Sequence, residues 1–273
     1  MPSFRMVTMS TQPRRGRPAS SRRRNSPASP ELSIIVPVHN ESDNIRPLIE
    51  EISSAMGVSI DYEIVYVDDG STDATPQRLR EAMAETPPLR VIGHLGCFGQ
   101  SAAILTGVQA ARAPLIATLD GDGQNDPADI PNLMRIHAES GSPTGLMLAG
   151  LRAKRRDTAI KRLSSRIANG VRSRLLGDRT PDTGCGLKLF SRAAFLELPR
   201  FDHMHRFLPA LMLGAGGKVR SVPVNHRPRG AGATKYGTFD RLWVGISDLF
   251  GVLWLRRRRL HPIVEREYGQ GES

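Results

Sequence analysis

Asp120-Gly121-Asp122 sets two carboxylates on one side of an extended turn, with the amide oxygen of Gln124 two residues further on. Hard oxygen donors of this kind suit Mg2+ or Mn2+, ions that keep several waters and bind diphosphates. The interleaved glycines let the backbone come close to a ligand. An isolated Asp-Gly-Asp is more often a plain turn. This one directly follows an apolar run, LIATL, and precedes Asp126-Pro127, which favours the metal reading. Two more polar clusters belong to apolar runs: Pro37-Val38-His39-Asn40-Glu41 closes the first, and Asp68-Asp69-Gly70-Ser71-Thr72-Asp73 follows YEIVYV. A carboxylate at Asp68 or Asp69 can accept from a base N–H or a ribose hydroxyl, whereas Asp73 reads as a helix N-cap. The segment PVHNES holds neither GxGxxG nor a Walker lysine, which counts against a nicotinamide dehydrogenase and a P-loop NTPase.

These clusters need a scaffold that brings strand ends together. LSIIVPV (Leu32–Val38) is a continuous apolar run of strand length, and residues 41–56 carry Ile45, Leu48, Ile49 and Ile52 at helical spacing. Residues 62–67 form the next strand, and a helix is expected from about Asp73. The spacing predicts strand 89–95, helix 100–112, strand 115–119, a helix after Pro127 and strand 145–149. That alternation predicts an α/β fold, a mostly parallel sheet with helices on both faces, where ligands sit beyond the carboxyl ends of the strands. After residue 150 come a basic helix (about 157–176), GLKLFS, HRFLPALML and KVRSVPV, read as an α+β completion of the same domain.

The formal net charge of +11 is unevenly placed. Residues 1–30 hold seven Arg and no acid, and read as a disordered basic arm. Residues 31–150 carry six basic and 17 acidic groups, whereas 151–180 carry ten basic and two acidic. One part is thereby suited to a cation and another to anions. Arg162 and Arg166, four apart on a helix, share a face that either clamps a phosphate or is simply solvated. Cys97 and Cys185 make no metal-ligand spacing and read as reduced thiols of a cytosolic protein. No run of 18 apolar residues is present.

The ordered set PVHNE, VDDGSTD, GQSAAILTG, DGDGQNDP and DTGCGLKLF resembles the inverting glycosyltransferase family 2 with the GT-A (Rossmann-like) fold, over roughly residues 31–240. The pattern is most similar to polyprenyl-phosphate glycosyltransferases such as the dolichol-phosphate mannose synthases. The resemblance implies transfer of one sugar from a nucleotide diphospho-sugar to a polyprenyl phosphate (dolichyl or undecaprenyl). It implies Pro37, His39, Asn40, Glu41, Asp68, Asp69 and Asp120 around the nucleotide, and Asp120, Asp122 and Gln124 on the metal and diphosphate. Arg162 and Arg166 would meet the lipid phosphate and the donor diphosphate. Arg227, Arg229, Lys235 and Tyr236 would lie on a cationic loop that closes over both phosphates. Asp182 stands where relatives are thought to place a general base. An acceptor phosphate is already an anion, so Asp182 either orients groups or takes a proton. The family's usual Asn before Phe-Gly-Gln is Cys97 here, and the QxxRW motif of processive synthases is absent, which favours single transfer.

The C-terminal region is the most periodic. Phe239, Leu242, Trp243, Ile246, Leu249, Phe250, Leu253 and Trp254 make one apolar face, followed by Arg256–259. It either packs on the sheet or lies as an amphipathic helix at an anionic membrane surface, and two Trp with four Arg favour the interface. The expected organisation is therefore a basic arm (1–30), a GT-A domain (31–237), an interfacial helix (238–260) and a tail (261–273). The expected location is cytoplasmic, peripheral on the cytosolic face of a membrane. Two rivals remain: transfer to a glycan or soluble hydroxyl, for which a true base at Asp182 is essential, and a nucleic-acid-binding protein using its Arg tails. The body shows no nucleic-acid motif, and its first half is acidic.

Overall fold

The computed structural model describes residues 29–152, 170, 174–178, 180–227 and 238–258, with backbone alone at 238–244 and 246. The expected arm at 1–30 lies almost wholly outside these residues, as do the tail at 261–273, Arg162, Arg166, Arg229, Lys235, Tyr236 and most of the basic helix.

Among the described residues seven strands form one sheet in the order β3-β2-β1-β4-β6-β5-β7. They are β1 (Leu32–Val38), β2 (Tyr62–Asp68), β3 (Leu89–Gly93), β4 (Leu115–Thr118), β5 (Leu146–Arg152), β6 (Lys188–Ser191) and β7 (Lys218–Val224). All neighbours run parallel except β6, antiparallel to both β4 and β5. Every residue of β1 is buried, as a parallel strand covered on both faces requires. Leu32, Ile34 and Val36 face one core, and Ile35 faces the other with Val65 and Val67 of β2.

Helices α1 (Ile45–Met56), α2 (Thr75–Glu85) and α4 (Ile130–Glu139) cover the first face. Ile45, Leu48, Ile49 and Ile52 of α1 are all buried, so the periodicity read from the sequence is the packing stripe. Helices α3 (Gln100–Ala110), α5 (Arg192–Leu196), α6 (Leu208–Gly214) and α7 (Thr238–Arg257) serve the second. Asp73, expected as the N-cap of α2, stands one position before the observed one: Ala74 is the N-cap, and Asp73 Oδ1 accepts from Thr75 N at 2.9 Å. The chain leaves β1 toward β2 on one side and reaches β4 on the other. The crevice beyond their carboxyl ends is where open α/β sheets bind ligands.

The expectation for α7 needs correction. The apolar face does not act as one surface. Val252 is fully buried, and Leu249 and Leu253 pack against the second core, whereas Phe250 and Trp254 are 65% and 61% exposed. The arginines divide too: the Arg256 guanidinium donates to the Leu176 carbonyl, while Arg257 and Arg258 are exposed. Trp254 and Arg258 border a groove with Glu197, Leu198 and Pro199. Those residues follow the end of β6 that pairs with the start of β4, so this end of α7 lies at the opposite end of the strands from Asp120. No described helix is long and apolar enough to cross a membrane.

Candidate active site

The three polar clusters meet at the carboxyl ends of β1, β2 and β4. The loop after β1 is knitted to the loop after β2. His39 Nδ1 bonds the Asp69 carbonyl at 2.8 Å, and Asn40 Oδ1 accepts from Thr72 N at 2.7 Å. The backbone N–H groups of Asn40 and Glu41 donate to Ser71 Oγ and Thr75 Oγ1, each at 2.9 Å. Asn40 holds a left-handed conformation (φ 55°), which asparagine tolerates better than most residues. Glu41 Oε2 accepts from Asn44 Nδ2 at 2.7 Å, and Pro37 lies within β1.

The two aspartates after β2 behave differently. Asp68 Oδ1 accepts only a turn N–H, that of Ser71 at 3.0 Å, among the bonds described. Asp69 is 4% exposed and takes four donors from residues 94–99: His94 Nδ1 (2.7 Å), Phe98 N (2.9 Å), Gly99 N (2.7 Å) and Cys97 Sγ (3.4 Å). Burial pushes its carboxyl up, but these donors outweigh that and hold it below the usual carboxylate range. Its side chain positions the loop that leads into Gln100. The same closeness explains Gly70 (φ 68°), where a Cβ would stand 2.4 Å from the Gly96 backbone. Cys97, the departure from the family's Asn, contributes to this latch.

Beyond β4, Asp120 Oδ1 accepts from Gln100 Nε2 at 2.8 Å, and its backbone N–H donates to Asn125 Oδ1 at 3.0 Å. Asp122 Oδ1 accepts from Gln124 N at 3.1 Å, folding the turn back through Gly123 (φ 72°). The Gln124 carbonyl accepts from Arg227 N. Gly186 of the neighbouring strand end abuts the Asp120 carboxylate so tightly that a Cβ there would lie 2.2 Å from it. Burial raises the Asp120 pKa, and the nearby Asp122 raises it further, against the pull of Lys188, Gln100 and Arg152. Two carboxylates in mutual repulsion are a donor set that a divalent cation would relieve. Among the described residues no group of three or more His, Cys, Asp or Glu is placed to hold a metal ion by itself. An ion here would therefore complete its shell with diphosphate and water, as Mg2+ does.

A cavity of about 310 Å3 opens beside Asp120, walled by Gln100, Gly184, Cys185, Lys188, His205 and Arg206 among others. Lys188 is 4% exposed, and its Nζ donates to the Cys185 carbonyl; burial lowers its pKa, opposed by Cys185, Asp120 and Asp182. Asp182 is gripped by Arg152 through Nε and Nη2, both at 2.6 Å, and this bond raises the arginine's pKa. Both Asp182 oxygens are thereby engaged by one guanidinium. Arg227, expected over the phosphates, forms a two-bond pair with Glu51 on α1 (3.0 and 2.7 Å). Lys188, Asn125 and His205 were not expected at the site. A lysine inside the apolar strand KLFS is the signal that could have marked the first.

A model of glycosyl transferase family 2 matches residues 33–198. The chain is 37% identical over 238 residues to a dodecaprenyl-phosphate galacturonate synthase of Rhizobium johnstonii, covering 85% of this chain and 69% of that one. It is 33% identical over 209 residues to an undecaprenyl-phosphate 4-deoxy-4-formamido-L-arabinose transferase of Edwardsiella ictaluri, covering 76% and 63%. Glucosyl-3-phosphoglycerate synthase of Mycobacterium tuberculosis, solved with Mn2+, uridine diphosphate and glucosyl-3-phosphoglycerate, superposes with a TM-score of 0.59 at 20% identity, over 84% and 80% of the chains. With the strand-end carboxylates, the β1–β4 crevice and these likenesses together, the chain belongs to glycosyl transferase family 2, and it is a glycosyltransferase of GT-A fold.

Proposed function

We propose that the protein transfers one sugar, with inversion, from a nucleotide diphospho-sugar to a polyprenyl phosphate. The observation that carries this is the Asp120–Asp122 pair at the end of β4, of which Asp120 lines a cavity with Lys188 and Arg206. The two relatives above, named for transfer to dodecaprenyl and undecaprenyl phosphate, support the lipid acceptor. In the reaction a phosphate oxygen of the acceptor attacks the anomeric carbon as its bond to the nucleotide breaks. The electron pair leaves on the terminal phosphate oxygen of the nucleoside diphosphate. A divalent ion, Mg2+ or Mn2+, held by Asp120, Asp122 and Gln124 would stabilise that leaving charge. Pro37, His39, Asn40, Glu41 and Asp68 would border the nucleotide, with Asp69 acting through the 94–99 loop. Asp182 would fix Arg152 at the mouth of the site, and Arg162, Arg166 and Lys235 would meet the phosphates.

A lipid acceptor calls for a membrane surface. The exposed Phe250 and Trp254, with Arg257 and Arg258, would rest this part of α7 on the anionic cytosolic leaflet. The test is nucleoside-diphosphate release from a donor panel, with and without undecaprenyl phosphate, in Mn2+ and in EDTA. Release that requires both lipid and metal supports the proposal. Full activity in EDTA would refute the metal assignment, and turnover on soluble glycans alone would refute the acceptor.

A further inference from the structure

Residues Met204–Arg206 form one tight turn at the catalytic end of the sheet. Ser101 on α3 holds His205 twice: the His205 backbone N–H donates to Ser101 Oγ at 3.1 Å, and His205 Nδ1 lies 2.7 Å from the same oxygen. Among the described residues Ser101 Oγ has no other partner, and Ser101 is 4% exposed. Its hydroxyl proton therefore points to Nδ1, because a protonated Nδ1 would leave that buried proton without an acceptor. The ring must then carry its hydrogen on Nε2. Burial, with Lys188 and Arg206 nearby, drives the imidazole pKa down to about 3, so the ring stays neutral under working conditions.

His205 Nε2 has no partner among the described residues, and the ring lines the cavity beside Asp120 and Lys188. Arg206 lines it too, half-buried, and pairs with no carboxylate among the described residues. Among the described residues Asp120 is the one acid on the cavity wall, and it is a proposed metal ligand. A fixed neutral donor beside an uncompensated guanidinium and a buried lysine is complementary to an anion.

Resting on the glycosyl-transfer reading, we infer that His205 Nε2–H and the Arg206 guanidinium form an anion-reading wall that binds a charged oxygen group of a substrate. That group is either a carboxylate on the transferred sugar or the phosphate of the acceptor. Ser101 is the positioning residue that fixes the tautomer.

The experiment compares UDP-galacturonate with UDP-galactose, which differ at C6 as carboxylate against hydroxymethyl, at varied undecaprenyl phosphate. If the wall reads the sugar, the wild type prefers the uronate. Arg206→Gln and His205→Gln then lower kcat/KM for it at least tenfold more than they lower it for UDP-galactose. If it reads the acceptor, the variants raise the KM for undecaprenyl phosphate about tenfold with either donor, and the donor KM stays put. Ser101→Ala should move the same parameter by a smaller factor, with Ser101→Thr restoring it. Nitrogen-15 NMR should show His205 protonated on Nε2 in the wild type and mixed in Ser101→Ala. A uniform fall in kcat, or no change in donor ratio or acceptor KM, overturns the inference. Should the wild type transfer no sugar, the function reading fails separately. Calorimetric titration of the same three ligands then still decides: a tenfold weaker Kd in Arg206→Gln supports the wall, and equal or absent binding overturns it.

Discussion

Replacing Asp69 with Asn separates a loop latch from a nucleotide ligand. The wild-type carboxylate takes two donors on each oxygen, from His94 and Phe98 N on one and from Gly99 N and Cys97 on the other. An asparagine keeps one accepting oxygen and turns an amide NH2 toward the remaining donors. The Gly99 N–H, 2.7 Å from its acceptor, then faces another donor. Losing the Gly99 hydrogen bond to a charged group costs about 1.5–3 kcal/mol, and losing the long Cys97 contact with weakening of the two survivors adds about 1 kcal/mol. The expected loss is therefore about 3 kcal/mol, read by urea unfolding at pH 7, which a domain of ordinary stability survives. Amide exchange should quicken at residues 94–100. Transfer should slow mainly through kcat, because Gln100, which holds Asp120, follows the loop. The wild type should behave likewise on acidification. A carboxyl whose folded pKa is depressed contributes stability above its unfolded value of about 3.9, and that stability drains away as pH falls through the lower folded value. A variant within about 0.5 kcal/mol of wild type, with only the donor KM raised, would refute the latch.

Asp182→Asn and Arg152→Met should each cost about 3–5 kcal/mol, because either leaves a buried charge alone; the double variant should lose less than their sum in a thermodynamic cycle. Asp182→Asn should also leave the acidic limb of the kcat profile in place, whereas loss of that limb would mark a true base. Burial and Asp122 raise the Asp120 pKa, so the metal-free fold loses stability as pH climbs from about 3.9 through the raised value. Asp120→Asn should accordingly raise the metal-free Tm at pH 7, lose that gain below about pH 4, and abolish both Mn2+-induced stabilisation and transfer. Phe250→Ser with Trp254→Ser should weaken flotation with anionic vesicles without unfolding, while Val252→Asp should unfold the chain. Unfolding by the aromatic pair would place those rings in the core instead.

The central fold was legible because its physics is local. Leu32–Val38 is buried on both faces, and a strand in that setting tolerates little but apolar residues. The DGDGQ turn was legible because its glycines and acids sit directly after such a strand. Less could be read where partners come from far along the chain. Arg227 looks like a phosphate-loop cation until Glu51, 176 residues earlier, is seen to hold it. Asp69 looks available to a ribose until the 94–99 loop folds over it. Helix α7 shows the limit of periodicity: eight apolar residues share a stripe on the helical wheel, yet docking takes Leu249 and Leu253 and leaves Phe250 and Trp254 outside. Val252, off that stripe, is the most buried residue described on the helix.

The central claim is that the strand-end carboxylates drive transfer of a single sugar onto a polyprenyl phosphate. Mass spectrometry of the lipid extract tests it most directly, after incubation with nucleotide sugar, undecaprenyl phosphate and Mn2+. The wild type should yield undecaprenyl phosphate carrying one sugar, of inverted anomeric configuration, and Asp122→Ala should yield none. A glycosylated lipid from Asp122→Ala at the wild-type rate, or nucleoside diphosphate released by the wild type with no sugar on the lipid, would contradict it.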